Sequence, residues 1–283
     1  MYKRSKEKEQ ISPKWLIEDY LDGDTIPRLI KSLSTSGIDY KIIERGDYIS
    51  IRNMPFDKDD CVIFYGSLQM GAHIERNIMW SPGVFCNSDN FRCSKYYSYF
   101  GKYLLNNDYY MLPFTEFIRR HKEIFSDKGS IFIRPDSGMK TFTGRPLNRD
   151  DVFEFNYEVI SLGNRQIEDI IVVFSSVKEI QREWRCVSCN HKIVGVSQYM
   201  QDGEIYINEG APYPVEDLAL EISQSKWIPD GAFTIDIAES NGEFRLVEIN
   251  SFSCADIYNC DWDPIVRSVN DLAISEYREI YEI

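Results

Sequence analysis

Three oxygen-bearing side chains lie close together in the stretch FTIDIAESNGEFRLVEIN, residues 233–250, which has the pattern of a β-hairpin. Asp236 lies on the first predicted strand, and Glu248 and Asn250 lie on the second. Side chains alternate between the two faces of a strand, so Glu248 and Asn250 share a face. Carboxylate and amide oxygens are ligands that Mg²⁺ accepts. The stretch therefore predicts either a magnesium platform or an acidic sheet face in water.

The turn of this hairpin decides whether these side chains can meet. With a two-residue Asn241–Gly242 turn and regular pairing, Asp236 would lie opposite Val247 and the polar faces would not match. An odd loop or a β-bulge would instead pair Asp236 with Glu248. Two facing carboxylates repel each other, so a positive group is expected between them. We therefore predict an irregular register that places Asp236 opposite Glu248.

Cations occur in a segment upstream of the hairpin, IFIRPDSGMKTFTG, residues 131–144. A predicted strand carries Arg134, and a loop with two glycines carries Lys140. Backbone N–H groups beside fixed cations suit a triphosphate. The Gly-Lys-Ser/Thr ending of a P-loop is absent. Taken alone, the segment favours a plain turn with surface cations.

A second upstream segment, residues 172–199, contains an apolar strand, a polar hinge and a further strand. Glu183 and Arg185 are two residues apart on that further strand and therefore project from one face. If the segment stood alone, a cross-strand ion pair on a sheet surface would explain both residues.

The cysteines and histidines offer other chemistry. Cys186, Cys189 and His191 could form half of a zinc site, but the second half is missing at any standard spacing, so packed thiols in a hairpin are favoured. The seven cysteines are expected to be reduced, because the sequence has no export signal. His73 and His121 have no evident partners, so the sequence does not support a Ser/His or Cys/His nucleophile system.

The elements that must position these residues differ between the two halves of the chain. Helices and strands alternate up to residue 125, which predicts an α/β layer with parallel strands. Beyond residue 126, strands follow in quick succession with few helices, which predicts a mostly antiparallel α+β domain. Strands are predicted at residues 39–44, 48–52, 61–65, 109–113, 130–135, 155–162, 169–176, 182–188, 192–199, 204–209, 233–238 and 244–249. Helices are predicted at residues 24–36, 68–77, 91–106, 114–125, 215–227 and 263–282.

The bulk composition narrows the class of protein. With 43% hydrophobic and 27% charged residues, the 283-residue chain is typical of an ordered globular protein. A net charge of -13 argues against general nucleic-acid binding, which needs clustered Lys and Arg. No apolar run has the length of a membrane span, and MYKRSKEKEQ lacks the apolar region of a signal peptide. We expect a cytoplasmic location.

Three stretches, taken together in their order along the chain, resemble the ATP-grasp superfamily. The resemblance is closest to its arginine-for-lysine clade, which is found in phage and bacterial genomes. The stretches are FIRPDSGMKTFTG, EIQREWRC followed by KIVGVSQY, and DIAESNGEFRLVEINSFS, within residues 126–262. VIFYGSL, WSPGVF and GKYLLNND look like the pre-ATP-grasp domain of that clade. The resemblance implies an α+β ATP-grasp fold at residues 126–283, preceded by a small α/β domain at residues 1–125. Two α+β subdomains, about residues 126–178 and 179–283, would clamp ATP.

The resemblance also implies an activity. The protein would be an ATP-dependent carboxylate-amine or carboxylate-thiol ligase that uses Mg-ATP and an acylphosphate intermediate to form a peptide-like or amide bond. Its partners would be a small-molecule or peptide carboxylate and an amine acceptor, with no membrane partner. The alternatives are a catalytically silent nucleotide-binding module and a kinase that stops at phosphoryl transfer. The presence of Arg185 together with all three metal ligands argues against the silent module.

Residue roles follow from the same resemblance. Arg134 lies where many relatives have a phosphate-contacting lysine, and Lys140 would be the cation of the flexible phosphate loop. The hinge VFSSVK, which ends at Lys178, would hold adenine. Glu183 would be a carboxylate on the nucleotide side, and Arg185 would meet the transferred phosphoryl group. The implied magnesium ligands are Asp236, Glu248 and Asn250, and the side chains that could line the acceptor side are Ser253, Asp256 and Tyr258.

Overall fold

The computed structural model describes residues 11–21, 23–50, 52–126, 128–162 and 170–282. The chain divides into two compact units. Unit 1 consists of Met1–Cys86, Phe252–Asp256 and Asp261–Ile283, and unit 2 consists of Asn87–Ser251 and Ile257–Cys260. Residues 1–10, on which the expectation of no signal peptide depends, lie outside the described residues. The division into domains near residue 126 falls within unit 2 and stays a prediction.

Unit 1 contains a four-stranded parallel sheet with the strand order β2-β1-β3-β4. Every residue of the β3 segment CVIFY is buried, as is typical of a strand covered on both faces. The predicted parallel α/β layer is therefore confirmed for this part of the chain. The strand predicted at residues 109–113 does not join it, because that strand pairs antiparallel within a sheet of unit 2. The elements of this unit are β1 (Lys14–Asp19), α1 (Thr25–Thr35), β2 (Tyr40–Glu44), β3 (Cys61–Tyr65), α2 (Leu68–Asn77), β4 (Ser81–Gly83) and α7 (Trp262–Tyr281).

Unit 2 contains two antiparallel sheets. The smaller has the order β5-β8-β6-β7, and the larger has the order β11-β10-β9-β12-β13. The predicted α+β class is confirmed. The elements are α3 (Cys93–Phe100), β5 (Tyr110–Pro113), α4 (Phe114–Phe125), β6 (Ser130–Pro135), β7 (Arg145–Asn148), α5 (Val152–Ser161), β8 (Ile171–Ser175), β9 (Arg182–Cys189), β10 (Lys192–Gln201), β11 (Glu204–Glu209), α6 (Tyr213–Ser223), β12 (Ala232–Ser240) and β13 (Glu243–Ser251).

Helices cover one face of each sheet in unit 2. Phe100 of α3 and Ile222 of α6 belong to the same apolar cluster as Ile235 and Ile237 of the larger sheet. A second cluster joins α4 and α5 to the smaller sheet. Because alternate residues of β12 point away from the first cluster, the polar positions of that strand lie on the opposite face.

Two predicted strands differ from the structure. Residues 155–162, predicted as a strand, belong mainly to helix α5, where Val152, Phe155 and Val159 are buried at helical spacing. Phe153 and Tyr157 are apolar but exposed, so the helical period is hidden in an almost continuous apolar run. The strand predicted at residues 48–52 does not form at residues 48–50, and Ile51 lies outside the described residues.

The aromatic helix predicted at residues 91–106 is also shorter than expected. The α-helix ends at Phe100 and continues as a 3-10 turn through Tyr103. The residues after this turn run alongside β13, and the Leu105 backbone N–H donates to the Leu246 carbonyl oxygen at 2.8 Å. This pairing with the sheet stops the helix.

No helix among the described residues combines the length and apolar character needed to cross a bilayer.

Candidate active site

The β12–β13 hairpin has the irregular register that the sequence predicts. Asp236 pairs with Glu248, while Ile237 pairs with Leu246, so Val247 is the extra residue of a β-bulge. The turn itself is Asn241–Gly242, and both residues have positive φ angles, 52° and 78°, as in a type I′ turn. The Asn-Gly turn and the irregular register therefore coexist, because the irregularity is a bulge within β13.

Strand β9 places a cation opposite the first carboxylate. Arg185 pairs with Asp236 across β9 and β12. Its Nε donates to Asp236 Oδ1 at 2.8 Å and its Nη2 donates to Oδ2 at 2.6 Å. Burial raises the pKa of Asp236, and the adjacent Arg185 guanidinium opposes that rise. The pair is an almost fully buried, bidentate ion pair, with Asp236 only 1% exposed.

The second carboxylate receives two cations from the smaller sheet and its loop. Arg134 at the end of β6 donates to Glu248 Oε2, and Lys140 Nζ donates to Oε1 at 3.1 Å. Arg134 also donates to the Val247 carbonyl oxygen at 3.4 Å. Burial alone would raise the pKa of Glu248, but Lys140 and Arg134 outweigh it and hold the pKa well below its usual range. Glu248 is therefore an ionised carboxylate.

Asn250 connects the two carboxylates. Its Nδ2 donates to Glu248 Oε1 at 2.9 Å and to Asp236 Oδ2 at 3.3 Å. The three predicted magnesium ligands thus form one hydrogen-bonded set on one sheet face. Two carboxylates and an amide oxygen fit Mg²⁺, since the amide can present its oxygen by rotation. No group of three or more His, Cys, Asp or Glu side chains in the described part of the chain forms a further metal-binding cluster.

Glu183 lies on the same face as Arg185 and contacts a tyrosine that the sequence analysis missed. The Tyr199 hydroxyl donates to Glu183 Oε2, and the Tyr199 ring stacks on Tyr258 with centroids 4.7 Å apart. The Arg185 guanidinium carbon lies 5.7 Å from the Tyr199 centroid and 5.2 Å from that of Tyr258. Burial raises the pKa of Glu183, while the Tyr199 hydroxyl opposes the rise.

The loop that carries Lys140 is fixed at its start. Asp136 accepts hydrogen bonds from the Ser94 N–H and hydroxyl, both at 2.7 Å, and so caps helix α3 from another segment. At Gly138 a Cβ would lie 2.4 Å from the Ser88 carbonyl oxygen, so only glycine fits without a shift. Lys140 has a positive φ of 46°, and its side chain is 43% exposed. The loop is therefore anchored at Asp136 and exposes Lys140.

Lys178 lies outside this charged cluster. It forms an ion pair with Asp108 at 2.9 Å and donates to the Ser176 hydroxyl at 2.7 Å. Burial would raise the pKa of Asp108, but hydrogen bonds from Ser176 and Lys178 lower it to about 2. These contacts hold the polar segment after β8 in place, and the adenine-binding role of Lys178 stays a prediction.

The three residues suggested for the acceptor side have different surroundings. Tyr258 belongs to unit 2, beside Arg185. Ser253 and Asp256 belong to unit 1, where Ser253 Oγ accepts from the Phe85 N–H at 2.9 Å and Asp256 Oδ1 accepts from the Thr25 hydroxyl at 2.7 Å. Both side chains make hydrogen bonds within their own unit, and an acceptor role for any of the three stays a prediction.

The zinc alternative has no matching cluster in the described chain. Cys186 and Cys189 are buried, unbridged thiols, and the His191 ring bonds to the Ser223 carbonyl oxygen at 2.8 Å. All seven cysteines are free of disulfides.

Comparison with known proteins agrees with this architecture. The chain resembles three solved structures at low sequence identity. D-cycloserine synthetase DcsG has a TM-score of 0.62 and 12% identity over 93% of this chain and 100% of that one. The ATP complex of D-alanine–D-alanine ligase from Bacillus anthracis has a TM-score of 0.60 and 12% sequence identity, over 95% of this chain and 99% of that one. The ATP-grasp ligase PsnB, solved with a minimal precursor, has a TM-score of 0.53 and 13% sequence identity, over 94% of this chain and 99% of that one. These similarities define an ATP-grasp fold.

The family follows from the sequence. Residues 116–267 match the model of an ATP-grasp domain family, the second family of the arginine-for-lysine clade, and the match spans more than half of the chain. The chain therefore belongs to this family. A sequence comparison with curated proteins gave no significant match.

Proposed function

We propose that this protein is an ATP-dependent ligase that joins a carboxylate to an amine, or to a thiol, through an acylphosphate. Family membership supports a nucleotide-dependent enzyme. The observation that carries the proposal is the connected charge network of unit 2. Arg185 pairs with Asp236, Arg134 and Lys140 pair with Glu248, and Asn250 joins the two carboxylates.

Phosphoryl transfer needs this kind of equipment. Its transition state spreads negative charge over the phosphoryl oxygens, and enzymes stabilise it chiefly by position and by cations. Arg134, Lys140 and Arg185 supply three cations on elements fixed by their neighbours. A triphosphate offers the oxygen acceptors that suit their N–H donors. We assign binding of the ATP phosphates to Arg134 and Lys140. We assign stabilisation of the negative charge on the transferred phosphoryl group to Arg185 and Lys140.

Asp236, Glu248 and Asn250 would hold Mg²⁺, which when bound supplies positive charge to phosphate oxygens. Glu248 is held in its ionised form, as a metal ligand must be. Arg134 and Lys140 already contact Glu248 and can turn towards phosphate oxygens when a divalent cation takes their place. Glu183 and the segment that ends at Lys178 would lie on the nucleotide side.

The proposed reaction balances in two steps. A substrate carboxylate oxygen attacks the γ-phosphorus of ATP, the bond to the β-phosphate oxygen breaks, and ADP leaves. The amine then attacks the acyl carbon, a C–N bond forms, and inorganic phosphate and a proton leave. Arg185, held by Asp236, faces charge that develops in the first step. No covalent bond to the protein is needed.

The substrate class is part of the proposal. D-Alanine–D-alanine ligase and PsnB with its minimal precursor are named for a small amino acid and a precursor substrate. For this chain we propose a small-molecule or peptide carboxylate and an amine acceptor. Residues 1–125 would then act as a pre-ATP-grasp domain, and about 126–178 and 179–283 as the two nucleotide-clamping subdomains.

ADP release by the purified protein tests this function over a panel of amino acids and peptides. We expect one or more carboxylates to stimulate ADP release, and hydroxylamine to trap the activated acyl group as a hydroxamate. A stable phosphorylated product without hydroxamate would identify a kinase. If ATP raises the melting temperature but no substrate stimulates turnover, the protein is a binding module.

A further inference from the structure

Strand β11 exposes apolar side chains along its whole length. All six residues, Glu204–Glu209, are exposed, with Ile205 at 80%, Ile207 at 52% and Tyr206 at 47%. β11 lies at the end of the larger sheet, and β10 is its only neighbour among the described strands. An edge strand leaves alternate N–H and C=O groups outside the ladder, where another extended chain can pair with them. β11 thus combines an open edge with unburied apolar side chains.

The exposed isoleucines lie on the same sheet face as the charged cluster. Ser197 of β10 pairs with Arg185 of β9 on one side and with Glu209 of β11 on the other. Side chains two residues apart on a strand share a face, so Ile207 and Ile205 share the face of Glu209. The register shifts between Gln198 and Met200 of β10, but beyond the shift Met200 pairs both with Ile205 and with Glu183, which lies on the face of Arg185. Neighbouring strands are about 4.8 Å apart, so a strand added beyond β11 would run roughly 14 Å from β9.

The charge around β11 specifies the kind of chain that could pair with it. Between Ile193 and Ser225 the sequence contains no Lys or Arg. Three acidic residues, Asp202, Glu204 and Glu209, lie on β11 or in the turn that leads into it. Glu204 and Glu209 stand at the two ends of β11 itself. A basic segment complements this surface.

A second copy of the chain does not fit the same edge. In an antiparallel pair centred on Tyr206 and Ile207, Glu204 of one copy would face Glu209 of the other, and directly opposed like charges destabilise a sheet. Each copy also carries a net charge of -13. The occupant is therefore expected to be a different chain with the opposite charge.

We propose that β11 is a docking strand for an extended peptide segment of another chain, in which apolar residues are flanked by Lys or Arg. The segment adds as a sixth strand to the larger sheet. Main-chain hydrogen bonds provide affinity, its apolar side chains cover Ile205 and Ile207, and its basic ends meet Glu204 and Glu209. This surface requires no turnover, so the proposal stands apart from the ligase activity.

Synthetic peptides test both the charge and the strand pairing. The probes are the hexapeptide Lys-Val-Thr-Val-Thr-Lys, its analogue with Glu at both ends, and an analogue with both valines N-methylated. We expect the basic peptide to bind and to slow amide hydrogen exchange in β11. Reversal of the end charges should weaken binding by about tenfold, because it replaces each of two exposed ion pairs with a repulsion. N-methylation should weaken it similarly, because it removes main-chain donors.

A charge-reversed variant provides the matched test on the protein. The double substitution E204K/E209K should reverse the preference, so that the Glu-ended peptide binds more tightly. The control E154K/D271K makes the same change in net charge at exposed positions of α5 and α7 and should leave the preference unchanged. Circular dichroism checks that both variants keep the native secondary structure.

Four results would overturn the proposal. No binding of the basic peptide would do so, and equal binding of the N-methylated peptide would show charge attraction without strand pairing. Loss of the preference in the E154K/D271K control would assign the effect to net charge. Concentration-dependent dimers in sedimentation velocity that Ile207→Lys abolishes would assign the edge to a second copy.

Discussion

Arg185 and Asp236 face each other directly across strands β9 and β12 and are joined by two N–H···O bonds of 2.8 and 2.6 Å. The pair is buried, and each partner compensates a charge that would otherwise be costly away from water. The rings of Tyr199 and Tyr258 lie beside the Arg185 guanidinium and further restrict its orientation. Arg185 is therefore held in one orientation on the polar face of the sheet.

Removal of one partner should destabilise the protein more than removal of both. Arg185→Ala leaves Asp236 buried and unpaired, so we expect the free energy of unfolding to fall by about 3–5 kcal/mol. The double substitution R185A/D236A should recover part of that loss, because no uncompensated charge remains. Urea denaturation of the two single variants and the double variant measures the coupling. Additive losses would mean that the pair contributes no coupling energy.

Glu248→Gln should remove the response to Mg-ATP while the fold remains. Gln keeps the shape, but its amide has one acceptor oxygen where the carboxylate offers one to Arg134 and another to Lys140. It also lacks the negative charge that a divalent cation needs. We expect ADP release to fall by about a hundredfold or more, and the rise in melting temperature on adding Mg-ATP to be lost. Glu243→Gln, at an exposed position on the same strand, is the control. Unchanged stabilisation by Mg-ATP in E248Q would contradict the ligand assignment.

The hairpin shows how much of the site could be predicted from the sequence. Polar residues at alternate positions indicate a shared face, and repulsion between carboxylates predicts nearby cations. The need for an irregular register follows from the same alternation. The position of the irregularity in the register could not be deduced, because a bulge at Val247 and an odd-numbered loop satisfy the pattern equally.

Other parts depend on contacts between distant segments. Tyr199 lies in β10 and Glu183 in β9, and their contact requires the irregular β9–β10 register between Gln198 and Met200. Asp136 caps a helix that begins more than forty residues earlier in the chain, at Cys93. Helix α5 was hidden because its exposed face is also apolar. Local patterns carry no information about such long-range contacts.

Tyr199→Phe should shift the pH dependence of turnover. The Tyr199 hydroxyl donates to Glu183 and opposes the rise in pKa that burial causes. Without it, the pKa of Glu183 rises further, so the carboxylate takes up a proton at higher pH. If ionised Glu183 is required, the acidic limb of the profile of kcat/KM for ATP should move to higher pH. Tyr206→Phe, on exposed β11, is the control, and an unshifted profile in Y199F would rule out this link.

Gly138→Ala should disturb the loop that carries Lys140. The added Cβ would lie 2.4 Å from the Ser88 carbonyl oxygen, and backbone must shift to relieve the contact. We expect a loss of about 1–3 kcal/mol in the free energy of unfolding and a higher KM for ATP. Gly129→Ala is the matched control, because nothing lies within 4 Å of its added Cβ. Equal stability of the two variants would show that the loop absorbs the change.

Glu276→Gln should stabilise the protein at alkaline pH but not at acidic pH. Burial, together with the nearby Glu279, raises the pKa of Glu276 to about 7. Between the unfolded pKa of about 4.3 and this value, the unfolded chain binds fewer protons than the folded one, so stability falls as pH rises. After allowing for partial exposure, we expect E276Q to gain about 1–2 kcal/mol over the wild type near pH 8 and little near pH 4. Urea denaturation at both pH values measures the difference, with Asp271→Asn on the same helix as the control. A gain of equal size at both pH values would assign the effect to packing instead of ionisation.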